Sequence, residues 1–173
     1  AYFLENGPNL IASFLNVDKT MDYASFDGST LKGDKWAEFT SSLFAFPFMS
    51  QKRLIRVNGL YLNEKEYASR LDSYFSSPCE QTVLVIVNSE KPKKDAVKLS
   101  SKPSVVTVDC SKADPETVKK WIYLTLKKQG ILLDGVANTK VAEYCLFDMA
   151  RISKETEKLI CYANQKGLTA LSE

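Results

Sequence analysis

Thr82–Val87 reads "TVLVIV": six β-branched or aliphatic residues in a row, between the polar flanks "CEQ" and "NSEK". A half-solvated strand alternates apolar with polar. A run that is apolar at both parities is the pattern of a strand covered on both faces. Upstream, "RLIRV" (Arg53–Val57) and "DYASFDGS" (Asp22–Ser29) read as strands, the second closing on a turn at Asp27-Gly28. Downstream, "SVVTVD" (Ser104–Asp109) reads as another. Between these strands lie helical patterns. Trp36, Phe39, Leu43 and Phe44 recur at helical spacing from Lys35, in a helix that ends near Pro47. A polar helix runs through "NEKEYASRLDSYFSS", and the basic stretch "KPKKDAVKLSSK" leaves room for a short one. At the N-terminus, Tyr2–Leu4 reads as a strand, "ENGPN" as a turn and Leu10–Leu15 as a short helix. Strands alternating with helices predict an α/β domain, a parallel sheet with flanking helices, over residues 1–111.

After Cys110 the strand signals stop. "ADPETVKKWIYLTLKKQG" opens with Asp114 as N-cap and Pro115 at the first helical position, and closes with Lys127, Lys128 and Gly130. Val118, Trp121, Ile122 and Thr125 line one of its faces. Further helices are predicted near Asn138–Phe147 and Ser153–Asn164, the last with Leu159, Ile160 and Ala163 on its apolar side. Residues 112–173 are thus read as a small helical lid domain.

The composition narrows the chemistry. The 173 residues contain no histidine, so histidine-dependent nucleophilic machinery and histidine metal sites are excluded within this chain. Cys79, Cys110, Cys145 and Cys161 form no CxxC pair, which fits neither a zinc site nor a redox motif and points to a reducing, cytoplasmic setting. A formal net charge of +2 does not by itself argue for nucleic acid or an anionic membrane. No apolar run approaches a membrane span and no secretory signal is read at the start.

A sheet followed by a small helical lid is the outline of a nucleotide-driven ATPase. A phosphate-binding loop needs GxxxxGK[ST]. Lys19-Thr20 resembles its end, but Ser13 and Asp18 stand where glycines are required, and Pro8 removes a donor after Gly7. The stretch reads as a plain strand-to-helix turn. A magnesium-holding carboxylate should end a buried strand, yet "RLIRV" and "TVLVIV" lead into Asn58 and Asn88. No catalytic group, cofactor or metal is expected. Lys91, Lys93, Lys94 and Lys98 could touch phosphates, but no aromatic is interleaved to stack on bases. Glu155, Glu157 and Lys158 read as surface charge or intrahelical pairs.

Five segments resemble the delta subunit of bacterial DNA polymerase III, in that family's order: "YFLENGPNLI"; "FDGSTL" with "FPFMSQKRLIRV"; "TVLVIVNSEK"; "DPETVKKWIYLTLKKQGI"; and "DMARISKETEKLICYA". The resemblance covers nearly the whole chain. It implies an AAA+-like, P-loop NTPase-type fold without intact Walker motifs. It also implies a non-catalytic clamp-loader subunit of the polymerase holoenzyme, a nucleotidyltransferase, with no ATPase of its own. The implied partners are the sliding clamp (beta subunit), the delta prime and tau/gamma loader subunits and, indirectly, DNA; the implied place is the nucleoid-associated replisome of the bacterial cytoplasm. Two departures stand out. The stretch from Gly7 to Phe26 is shorter than in the family, and the family's C-terminal collar domain is expected to be absent.

The resemblance also assigns a site. In the family, two adjacent apolar residues before a small polar one enter a pocket on the clamp. Here they are Pro47 and Phe48, with Phe46 and Met49 as flanking contacts. Proline replaces the more usual aliphatic residue, and it fixes φ at the tip. The residues themselves leave two readings open. Phe46 and Phe48 fold back under the sheet edge, or they project as anchors of the kind that dominate interfaces. Two other functions remain as alternatives: a degenerate P-loop ATPase, tested at Lys19, and a nucleic-acid-binding module using the lysines at 91–98.

Overall fold

The computed structural model describes residues 2–90 and 94–172. Its contacts divide the chain into two units, Phe3–Asp109 and Cys110–Glu173.

In the first unit, three parallel strands pair in sequence order: β1 (Tyr23–Asp27), β2 (Arg53–Asn58) and β3 (Thr82–Val87). Tyr23 to Asp27 lie opposite Leu54 to Asn58, and Arg53 to Asn58 opposite Thr82 to Val87. The period of two along β2 sorts its side chains between two layers. Ile55 and Val57 join Phe39, Leu43, Tyr67, Leu71 and Tyr74 on one face. Leu54 joins Ala12 and Val17 on the other. The first face is therefore covered by α2 (Asp34–Phe44), α3 (Glu64–Arg70) and α4 (Asp72–Ser76), the second by α1 (Tyr2–Phe14). A capping box starts α3: the Asn63 carboxamide accepts the Glu66 N–H, and the Glu66 carboxylate accepts the Asn63 N–H.

Three expectations are corrected here. Tyr2–Leu4 is not a strand, and "ENGPN" is not a turn. Both lie within α1, which runs through Pro8 and buries Pro8 and Ala12. Leu4, Pro8 and Ala12 follow each other at four-residue spacing, so one face of a helix outweighs the local turn chemistry. Second, β3 is not fully buried. It holds an edge of the sheet, and only Thr82 is buried, although Leu84 and Ile86 reach one layer and Val85 the other. Third, "SVVTVD" forms no strand. Residues 105–110 run as irregular chain with Val106 and Val108 exposed, because β-branched composition makes a strand only where a ladder receives it.

The second unit is mainly helical: α5 (Pro115–Lys128), α6 (Gly135–Tyr144) and α7 (Met149–Lys166). Each opens on an aspartate, Asp114, Asp134 or Asp148, whose carboxylate accepts N–H groups of the first turn. Gly167, at φ +64°, ends α7 in the left-handed conformation. Val118, Ile122 and Leu126 of α5 are buried with Ala142, Ile152 and Ala163. The strand signals do not stop entirely at Cys110, because β4 (Leu132–Leu133) and β5 (Ala170–Leu171) form a two-residue parallel ladder.

Candidate partner-binding tip

Phe39 and Leu43 have no exposed surface and seat α2 on the sheet. Phe44, expected in the same buried stripe, is 53% exposed and touches only the edge of the core through a T-shaped contact with Tyr74 at 5.5 Å. The helix ends there. Ala45 turns to extended backbone (φ −73°, ψ 137°), Pro47 disfavours helical backbone at Phe46 before it, and the chain has to travel to Arg53 before pairing resumes. Residues 46–50 are that passage.

Its side chains face solvent. Phe46 and Phe48 are each 75% exposed and Met49 68%, while Pro47 is half-buried. Neither phenylalanine ring folds back under the sheet edge. Its backbone, by contrast, is gripped. One Asp22 carboxylate oxygen accepts the Phe48 N–H at 2.5 Å; the other accepts those of Met49 at 2.8 Å and Ser50 at 2.6 Å. The Ser50 hydroxyl is a further donor to Asp22 and accepts the Asp18 N–H at 2.7 Å. Asp22 is itself buried. Burial alone would raise its pKa, but the donors from Phe48, Met49 and Ser50 outweigh that effect and bring it down from 3.8 to about 2. Asp22 and Ser50 are the residues that sequence reasoning missed. They lie 28 positions apart, and nothing local to either signals the other.

The remaining candidates are dispersed or engaged elsewhere. Thr20 and Met21 donate their N–H groups to the Asp18 carboxylate, both at 2.9 Å, so the donors beside Lys19 already face a negative charge. Gly7 and Pro8 sit inside α1 rather than in a strand-to-helix turn. The Asn88 carboxamide binds the backbone of Leu60 through both its oxygen and its nitrogen, and Asn58 accepts from the Arg56 guanidinium. Of the lysines considered for phosphate contact, Lys94 and Lys98 are exposed, while Lys91 and Lys93 lie outside the described residues. Lys158 pairs with Glu155 within α7 at 2.7 Å. Cys145 is buried, Cys79 and Cys110 are half-buried and Cys161 is exposed.

The family model of the DNA polymerase III delta subunit matches residues 9–110. The fold is similar to that of the Bacillus subtilis DNA clamp loader delta protein YqeN, with a TM-score of 0.75 at 19% identity over 99% of this chain and 52% of that one. Two RuvB mutants of Thermotoga maritima align with TM-scores of 0.53 and 0.52 at 11% identity, over 97% and 98% of this chain and 54% of each. The chain thus spans about half the length of these solved structures. No curated protein matches it.

Proposed function

This chain belongs to the DNA polymerase III delta-subunit family, and from that premise we propose that it binds the DNA sliding clamp through Phe46, Pro47, Phe48 and Met49 as a non-catalytic clamp-loader component. The observation that carries the reading is the pairing of two opposites in residues 46–50. Three large apolar side chains stand in solvent, on a backbone the fold holds in place. Side chains left outside a core that is complete without them serve a partner's pocket better than they serve stability.

In this reading residues 1–111 are the AAA+-like domain that carries the tip, and residues 112–173 are the helical lid. Binding energy at the tip favours a clamp with an opened interface, by no more than the tip's differential affinity for the two clamp states. ATP is hydrolysed by other loader subunits, with delta prime and tau/gamma as partners in the whole protein and DNA met through the clamp. The work takes place at the replisome in the cytoplasm. Among the described residues, no helix is long and apolar enough to cross a membrane.

The test is calorimetric titration of the chain against its cognate sliding clamp, wild type beside Phe48→Ala. Truncating an interface anchor costs about 2 kcal/mol or more, a loss of about thirtyfold in affinity. An affinity that does not change on truncation sinks the reading.

A further inference from the structure

Three consecutive N–H groups that converge on one point make a nest for an anion. In residues 48–50 the anion is supplied by the chain itself, from Asp22. Asp22 is not free to follow the tip. Its N–H donates to the Asp18 carbonyl and its own carbonyl accepts the Leu54 N–H, both at 2.9 Å, which ties it to the point where β1 and β2 begin to pair. A carboxylate without exposed surface stays ionised only where donors surround it, and here most of those donors are the tip's own. A backbone that turns three successive N–H groups inward must turn its side chains away, and Phe48 and Met49 are indeed largely exposed. From the other side, Pro47 fixes its own φ and holds Phe46 to extended backbone.

We propose that Asp22 is a positioning residue for the partner-binding tip: its carboxylate fixes residues 46–50 in their outward form before a partner arrives. The inference rests on the reading of Phe46–Met49 as the clamp-binding surface. Its consequence is preorganisation, since the apolar anchors meet the clamp without a loop having to be ordered on binding.

The test combines amide hydrogen exchange on this chain with affinity for the sliding clamp, in wild type and Asp22→Asn. Asparagine keeps the size of the side chain but replaces one accepting oxygen with a donor. In the wild type, the Phe48, Met49 and Ser50 amides should exchange at least about 100-fold more slowly than in an open chain. Asp22→Asn should remove that protection, leave Ile55 and Val57 protected, and weaken clamp binding about tenfold or more. Unprotected amides at 48–50 in the wild type overturn the proposal, whether or not the variant folds. So does lost protection with unchanged clamp affinity in Asp22→Asn, when Phe48→Ala does weaken binding. If Phe48→Ala leaves binding intact, the clamp reading itself fails, and exchange at 48–50 still decides whether Asp22 fixes the tip.

Discussion

Gly28 and Gly59 meet backbone to backbone: a Cβ added to Gly28 would stand 2.4 Å from the Gly59 carbonyl oxygen and 2.7 Å from its carbon. The two follow directly on the last β1–β2 pair, Asp27 and Asn58, and Gly59 in turn donates its N–H to the Val87 carbonyl at 2.8 Å. All three strand ends are drawn together there, and the obstructing atoms are main chain that cannot rotate aside. Gly28→Ala should therefore destabilise the chain by about 1–3 kcal/mol, as overpacking does. Urea unfolding against wild type measures it. A neutral result would mean that the strand ends part freely.

Phe39 and Phe48 lie nine positions apart, and their truncations should give opposite readouts. Phe39 is fully buried and meets the rings of Phe26 and Trp36, both at 5.3 Å. Phe39→Ala should cost about 3–5 kcal/mol of stability. Phe48→Ala should stay within about 0.5 kcal/mol of wild type, as surface substitutions do, while clamp binding is lost. Parallel melts of the two variants suffice. A large loss of stability in Phe48→Ala would put that ring in the core.

Asp22 predicts an acid signature. Its pKa is lowered in the folded chain from 3.8 to about 2, so the ionised form favours folding. That contribution is fully present above the unfolded value and is lost as pH falls through the folded one. Between 3.8 and about 2, wild type should lose stability more steeply than Asp22→Asn, and the two curves should run parallel above that window. Melts taken from pH 5 downward check this, and equal slopes below pH 4 would contradict the lowered value.

What the sequence disclosed, and what it hid, follows from the range of each interaction. Arg53–Val57 and Thr82–Val87 announce themselves as strands because period and composition are local. That β3 lies at an edge depends on how many neighbours it receives, which no window of the sequence carries. Ser104–Asp109 fails as a strand for the same reason. Asn6, Gly7 and Pro8 signal a turn at the N-terminus. The competing signal, the spacing of Leu4, Pro8 and Ala12, is weaker as local punctuation but decides the fold, because it sets a buried face. For the tip, the break at Pro47 and the surplus of aromatics beyond the helix were legible. The hold on it was not, since Asp22 is simply the first residue of a strand pattern until folding carries it across 26 positions to the Phe48 N–H.

Because Asp22 holds Phe48 and Met49 through main-chain hydrogens alone, it is indifferent to which residues carry them there. At positions 48 and 49 any amino acid but proline supplies the same N–H, so the scaffold bears almost no cost when the side chains there change, whereas the Ser50 hydroxyl is part of the grip. In the proposed reading of the tip, recognition and folding are thereby written in separate alphabets. If the proposed clamp contact holds, the apolar group at position 48 can be exchanged to suit a different pocket while the chain folds as before, and partner preference can drift, or be redesigned, at positions 48 and 49 without renegotiating the core.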